Sequence, residues 1–186
     1  MKHTVLILSL TLLFAFGTTA FRPAVAQSWA LKTNLLTDAL LVPTLGVEHT
    51  IGNRNTLSVT ATYMPYAVGS SKWKNFTLQP ELRWWHNEPL AGFFFGVNIL
   101  AGAFNIDNVR LGGLYGRQRQ GYIVGGGATV GYHRVLSDRW GLELALGVDA
   151  LYSNYERFKG DDSEGRRSGF IVLPLGTGVT LVYVLK

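Results

Sequence analysis

The sequence contains no cysteine, and it has few charged residues for its length. The absence of cysteine excludes disulfides, thiolate metal sites, a cysteine nucleophile and a lipid anchor on a first mature cysteine. Charged residues make up 16% of the chain, whereas a soluble domain carries about 25%. The surface therefore has less charge than water normally requires. The net charge of +5 includes no dense basic run, which argues against nucleic-acid binding.

A long apolar run occurs only at the start of the chain. Lys2 precedes the apolar residues 4–16, and residues 24–26 (Ala-Val-Ala) match the small-x-small pattern of a signal cleavage site. The run is shorter than the roughly 20 residues that a spanning helix needs. We therefore expect residues 1–26 to be a cleaved signal peptide and residues 27–186 to form one domain.

Period-two alternation dominates the rest of the chain, and helical periodicity is scarce. In residues 140–153 the even positions carry Trp, Leu, Leu, Leu, Val, Ala and Tyr, and the odd positions carry Gly, Glu, Ala, Gly, Asp, Leu and Ser. Successive strand side chains point to opposite faces, so this segment has one apolar face and one small or polar face. Eight such segments are predicted, near 29–38, 43–51, 56–64, 75–86, 92–104, 120–135, 140–155 and 169–185.

The connections between these segments alternate in length. Three are short and rich in turn residues: 53–55, 86–91 and 136–139. Three are longer, polar and glycine-containing: 64–74, 105–119 and 156–168. The connections alternate between short and long along the chain, and the first connection, 39–42, is the exception because it is short where a long one would be expected. Short turns that alternate with long loops are typical of outer-membrane barrels. The sequence therefore predicts an all-β fold, an eight-stranded antiparallel up-and-down transmembrane β-barrel.

Two features predict that the apolar face points outward. The first is that aromatic residues gather near both ends of the strands, as in the girdles of membrane barrels. The girdle at the end where the chain begins and ends is predicted to contain Trp29, Trp84, Trp85, Phe93, Phe95, Tyr132, Trp140 and Tyr183. The second is that the other face is mostly Gly, Ser and Thr, which suits a narrow lumen filled by side chains. Its few charges are predicted to form an interior network of structural character: Lys32, Glu48, Glu81, Arg83, Glu143 and Asp149.

The sequence offers no convincing catalytic or metal-binding constellation. His133, Ser137 and Glu143 are the only nearby trio for a hydrolase, and the predicted topology puts Ser137 in a turn. The four histidines have no metal-ligand spacing, so no cofactor is expected. Basic residues of the long loops are candidates for binding lipopolysaccharide phosphates: Lys72, Lys74, Arg110, Arg117 and Arg119.

Several strand-like motifs carry a resemblance to a family. Residues 31–39 (Leu-Lys-Thr-Asn-Leu-Leu-Thr-Asp-Ala), 43–48, 81–85 and 142–147 resemble an uncharacterised outer-membrane barrel family of Bacteroidetes. The layout is more distantly similar to the transmembrane domain of OmpA and to OmpX. Residues 178–186 resemble the C-terminal signal that barrel-assembly machinery recognises, without the usual terminal aromatic. The resemblance implies a barrel and an outer-membrane address, and it implies no activity.

We therefore expect a non-enzymatic barrel of the bacterial outer membrane with a structural or surface-interaction role. Its external loops would contact lipopolysaccharide, a glycan or a surface protein. Two alternatives stay open. A lipid-A-modifying enzyme of the outer membrane would change the composition of lipid A. A periplasmic barrel that binds an apolar ligand would be soluble without detergent after export.

Overall fold

The computed structural model describes residues 29–68, 71–107, 118–159 and 162–185, so the predicted signal peptide lies outside the described residues. In chain order the elements are β1 (Trp29–Asn34), α1 (Leu35–Ala39), β2 (Thr44–Thr50), β3 (Asn55–Val68), β4 (Ser71–Trp85), β5 (Gly92–Asp107), β6 (Gln118–Val135), β7 (Trp140–Lys159), β8 (Asp162–Leu173) and β9 (Gly178–Leu185). Within these ranges no helix is long and apolar enough to cross a membrane.

The strands form one closed antiparallel barrel. Each strand from β1 to β7 pairs with the next along the chain, and β7 then pairs with both β8 and β9. The circuit closes where Trp29–Asn34 of β1 lies against the residues of β9 from Leu185 back to Thr180. Strands β8 and β9 together make the eighth strand, which is interrupted at residues 174–177. The predicted all-β, eight-stranded antiparallel barrel is therefore confirmed.

The first predicted strand is shorter than expected because a helix begins inside it. The Asn34 side chain accepts hydrogen bonds from the backbone N–H groups of Leu36 and Thr37, at 3.1 and 3.4 Å. This is the bonding of a helix N-cap, and it satisfies donors that would otherwise have no partner in the first turn. Helix α1 thus occupies the place where a strand was expected to continue.

The last predicted strand is broken at a proline. Pro174 has no backbone N–H to give to a sheet ladder, which favours an interruption there. The facing of the side chains changes across the break. Ile171 pairs with the inward-facing, fully buried Leu151, whereas Val179 and Leu181 on β9 lie on the outward parity. Odd-numbered positions therefore take the inward parity on β8 and the outward parity on β9.

Apolar side chains cover the outside of the wall, and polar side chains are enclosed. On β7, Leu144, Leu146 and Val148 are 40%, 68% and 58% exposed. On the other parity of the same strand, Glu143 and Asp149 are at most 1% exposed. Alternate side chains of a strand point to opposite faces, so the apolar parity of the barrel faces outward.

We call the end where β1 begins and β9 ends the terminal end, and the opposite end the loop end. A hydrophobic cluster closes the interior at the terminal end: Ala30, Trp85, Leu90, Phe94, Ala145, Val182 and Val184. Trp85 is only 3% exposed, whereas Trp84 is 39% exposed. Adjacent residues of a strand cannot share a face. Trp85 is therefore an interior residue, and its assignment to the outer girdle is wrong.

Candidate functional site

Five of the six charged residues assigned to the lumen meet in one buried cluster. Lys32 Nζ lies 2.8 Å from Glu48 Oε2 and 2.8 Å from Glu143 Oε2. Arg83 reaches Glu81 Oε2 through Nη2 at 2.6 Å and Glu143 Oε2 through Nη1 at 2.9 Å. Arg83 Nη1 also lies 3.2 Å from Glu48 Oε2. None of the five is more than 7% exposed. We call these five residues the charged cluster.

The charged cluster ties distant parts of the wall together across the lumen. Lys32 lies on β1, Glu48 on β2, Arg83 on β4 and Glu143 on β7. The inward parity of each strand fixes the direction of each side chain. Removing one partner of such a buried network leaves an uncompensated charge, which costs about 3–5 kcal/mol. The arrangement is therefore suited to holding the barrel closed, and it blocks the lumen next to the hydrophobic cluster.

Three further residues support the cluster, although the alternation pattern did not single them out. Thr56 Oγ1 donates to Glu48 Oε1 at 2.5 Å and accepts from Trp85 Nε1 at 2.9 Å. His133 Nδ1 lies 3.9 Å from Glu143 Oε2. Parity could have placed His133 in the lumen from the sequence, because it is two positions from the inward-facing Gly131 on β6.

Ser137, the third residue of the possible hydrolase trio, lies away from the contact between His133 and Glu143. Ser137 belongs to the exposed turn at 136–139, and its Oγ accepts a hydrogen bond from the backbone N–H of Trp140 at 3.2 Å. His133 is 2% exposed and Glu143 1% exposed, both on the lumen side. A serine nucleophile needs its base within hydrogen-bond reach, so these residues do not form a catalytic triad.

A small polar cavity lies between the charged cluster and α1. Its volume is about 80 Å³, and it is bounded by Lys32, Glu81 and Arg83 on the side of the cluster. Threonines line much of the rest: Thr33, Thr37, Thr44, Thr60, Thr62, Thr129 and Thr180. Leu175 and Gly176, from the break in the last strand, complete the lining. A space of this size holds several waters, and it is far smaller than a pocket for a lipid or a sugar chain.

The comparison with protein families gives one match. A family model described as "Protein of unknown function (DUF3575)" matches residues 7–185. The chain belongs to this family. Comparison with curated proteins found no match, and comparison with solved structures found none either. Membership in DUF3575, together with the barrel, confirms the expected kinship with an uncharacterised barrel family.

The candidate phosphate-binding residues of this DUF3575 chain are dispersed. Lys72 and Lys74 are exposed near the loop end of β4. Arg119 is half-buried on β6, and its guanidinium lies 5.6 Å from the centre of the Tyr155 ring. Arg110 and Arg117 lie outside the described residues. In the part of the chain that the structure describes, Lys72 and Lys74 are therefore the pair from this set that the outer surface presents.

The described part of the chain contains no candidate metal site of the kind that His, Asp and Glu side chains form. Across residues 29–68, 71–107, 118–159 and 162–185, no three side chains of the types His, Asp and Glu are grouped so that they could hold a metal ion. Asp149, the sixth charged residue assigned to the lumen, is fully buried and lies outside the charged cluster. Its Oδ1 accepts a hydrogen bond from Gln79 Nε2 at 3.4 Å.

Proposed function

We propose that this protein is an exported β-barrel of the bacterial outer membrane, with a structural or surface-interaction role and no catalytic activity. The observation that carries the proposal is the outer face. Aromatic side chains near the terminal end are 39–65% exposed and point outward: Trp29, Trp84, Phe93, Phe95 and Trp140. A second outward set lies toward the loop end: Tyr63, Phe76, Tyr122 and Phe170. Aliphatic side chains fill the band between them, as in membrane barrels.

The band has the height of a membrane. Phe76 and Trp84 are eight positions apart on β4, and Tyr122 and Tyr132 are ten positions apart on β6. With about 3.4 Å per residue and a strand tilt of about 40°, these spans correspond to roughly 21–26 Å. Membrane barrels have an apolar band about 25 Å tall. Between the two aromatic sets, the described outward positions carry no Asp, Glu, Lys or Arg.

The interior supports a structural role rather than transport. The hydrophobic cluster and the charged cluster fill the lumen at the terminal end. Eight strands enclose a space that side chains can fill, and the polar cavity beside the charged cluster is about 80 Å³. Function therefore falls to the surface at the loop end, where partners such as lipopolysaccharide, a glycan or a surface protein would bind.

A polar row at the loop end suits lipopolysaccharide. Lys74 on β4 is opposite Asn105 on β5, and Asn105 is opposite Gln120 on β6. All three are on the outward parity, one step beyond the aromatic Phe76 and Tyr122. An ammonium group next to amides matches the phosphates and sugars of a lipid head group. Lys72 is opposite Asp107 across the same pair of strands. Lys74, which is opposite the neutral Asn105, is therefore the cation better placed to bind a phosphate.

Fractionation tests the location. Cells that express the full chain are separated into periplasmic and membrane fractions, and the membrane fraction is washed with urea. The protein should remain with the outer membrane and should migrate differently on a gel before and after boiling. Recovery in the periplasm without detergent would support the apolar-ligand carrier instead. A change in the mass spectrum of lipid A on deletion of the gene would support a lipid-modifying enzyme.

A second experiment tests the partner. The double variant K72Q/K74Q removes two exposed cations at the loop end, and R54Q/R139Q removes two exposed cations at the terminal end. Binding of the refolded barrel to lipopolysaccharide micelles is measured for both. K72Q/K74Q should weaken binding several-fold, whereas R54Q/R139Q should leave it unchanged. Equal binding by both variants would contradict the assignment of lipopolysaccharide to this row.

A further inference from the structure

The wall of the barrel has fewer strands at the loop end than at the terminal end. Strands β1, β2 and β9 are short and lie at the terminal end, so eight strands surround the lumen there and six, β3 to β8, surround it at the loop end. Among the described residues, β8 pairs with β7 alone, and residues 64–68 of β3 pair with β4 alone. The edges of β8 and β3 therefore border a lateral gap beside α1.

The exposure of β8 shows that this gap opens onto the interior. Residues 163–172 of β8 are exposed on both parities. Ile171 is directly opposite Leu151 of β7, so the two side chains share the inward face. Leu151 is 0% exposed, whereas Ile171 is 44% exposed. The inward face thus changes from fully buried to open between two adjacent strands, at the edge that borders the gap.

The interior next to the gap is apolar, in contrast to the charged cluster. Four successive cross-strand partners from β5 to β8 form an inward-facing row, which we call the apolar row: Leu100, Gly125, Leu151 and Ile171. Closer to the loop end, on the same inward face, the ring centres of Phe104 and Tyr155 are 6.2 Å apart. The lumen therefore has an apolar inner surface that reaches the edge of the wall.

Apolar side chains also border the gap on its terminal side. Helix α1 and the turn after it carry four leucines that are 41–71% exposed: Leu35, Leu36, Leu40 and Leu41. They follow β1 directly in the chain, on the side of β1 and β2 that faces the loop end. The gap thus lies between the apolar outer face and the apolar row.

Arginines lie on the loop-end side of the apolar row, on the same inward parity. Arg119 is opposite Arg157, and Arg167 is opposite Tyr155. Arg157 is paired with Glu164 at 2.9 Å. The guanidinium of Arg119 lies 5.6 Å from the centre of the Tyr155 ring, and its Nε has no hydrogen-bond partner within the described chain. Because like charges directly opposite each other are destabilising, this group of arginines favours an anion.

We propose that the loop-end interior binds a long-chain fatty acid, which enters through the gap between β8 and β3. The acyl chain packs along the apolar row, and the carboxylate lies between Arg119 and Arg167, whose guanidinium groups match its geometry. An eight-stranded barrel has room for side chains or for one small ligand, which suits one acyl chain rather than the several chains of lipopolysaccharide. Entry from the bilayer rests on the proposed membrane location, whereas the binding surface itself follows from the described residues.

Photolabelling of the full barrel tests the proposal. The folded protein in phosphatidylcholine vesicles is irradiated with palmitic acid that carries a diazirine at the end of its chain, and the labelled residues are mapped by mass spectrometry. We expect label on the inward residues Leu151 and Ile171. Phosphatidylcholine with the same diazirine should instead label outward residues of β8, such as Phe170 and Val172, which are 85% and 65% exposed.

Two outcomes separate this proposal from the proposed location. Outward labelling alone by both probes, from a barrel that has inserted into the vesicles, would overturn the fatty-acid site and leave the membrane location intact. Failure of the chain to insert would refute the membrane location, and with it the entry of a ligand from the bilayer.

Two tryptophan variants test the route of entry. Gly169 is on the inward parity of β8, two positions from Ile171, and a Cβ built there meets nothing within 4 Å. Gly169→Trp should therefore fill the gap while the barrel stays heat-modifiable, and it should reduce inward labelling by palmitic acid several-fold. The control Val172→Trp adds the same ring to the outward face and should leave inward labelling unchanged. Equal inward labelling of the two variants would refute entry through the gap.

A double variant tests the binding of the carboxylate. R119Q/R167Q should reduce labelling by the palmitic acid probe several-fold and should leave labelling by its methyl ester unchanged, because the ester has no charge. R54Q/R139Q, which removes two exposed cations at the terminal end, is the control and should label normally with both probes. An equal effect of R119Q/R167Q on the acid and on the ester would contradict recognition of the carboxylate by these arginines.

Discussion

Arginine substitutions at two depths of one strand provide a strict test of what the outer face contacts. Ile99 is 67% exposed near the middle of the apolar band on β5. Asn105 lies on the same parity of β5, six positions closer to the loop end. With about 3.4 Å per residue and a tilt of about 40°, the two positions differ in height by roughly 15 Å. This is about half of the 30 Å hydrocarbon core of a bilayer. Ile99 would therefore lie at the centre of the membrane and Asn105 at its surface.

The expected effects of the two substitutions differ in size. Arg on the lipid face lowers the stability of membrane barrels by about 2–4 kcal/mol at the midplane and by about 0–1 kcal/mol near the interface. Ile99→Arg should therefore cost about 2 kcal/mol more than Asn105→Arg. The measurement is a denaturant titration of folding into phospholipid vesicles, followed by tryptophan fluorescence. In water, exposed surface substitutions usually change stability by less than about 0.5 kcal/mol. A difference that small between the two variants would refute a lipid-facing band.

Two further predictions concern the interior and the wall. Lys32→Met leaves Glu48 and Glu143 with Arg83 as their remaining close cation. It should therefore lower the free energy of unfolding by about 3–5 kcal/mol in a urea titration. The control Lys72→Met, at the exposed loop end, should change the free energy of unfolding by less than about 0.5 kcal/mol. An equal effect of the two lysine variants would contradict a structural role for the charged cluster. At Gly125 an added Cβ would meet the backbone oxygen of Ala150 and lie 2.8 Å from the Cα of Leu151, so Gly125→Val should reduce the heat-modifiable fraction of the protein after refolding. The matched control is Gly169→Val, because a Cβ at Gly169 meets nothing within 4 Å. Equal yields of the two variants would contradict the close approach of β6 and β7.

Alternation alone predicts most of the wall. In a strand, parity determines which side a residue takes, and a closed barrel has only two sides. This is why the sequence alone assigns Glu143 and Asp149 to the lumen, and Leu144 and Leu146 to the outside, as their burial confirms. The same rule was sufficient for Trp84 and Trp85, which must face opposite sides. Treating both as girdle residues gave more weight to composition than to parity.

Other features depend on tertiary context that a linear pattern does not contain. The break at 174–177 is not visible as a loss of apolar residues, because Leu173 and Leu175 continue the pattern on either side. The helix at Leu35–Ala39 consists of residues that also suit a strand, and its start depends on the Asn34 cap. The contact between Gln79 and Asp149 depends on the closure of the barrel, because the two residues are 70 positions apart in the chain.

The seam between β1 and β9 has a consequence for the order of folding. Its six residue pairs join positions that are 146 to 156 residues apart in the chain. Contacts between such distant segments form slowly, because the entropy of closing a long loop must be overcome first. Until that moment the chain is an open sheet with two unpaired edges, which is a template for pairing with other chains. Lys32 on one edge cannot meet Glu143 before the sheet curls round. The ion pair between Lys32 and Glu143 therefore forms only when the barrel closes, whereas Glu81 and Arg83, on the same strand, can pair earlier.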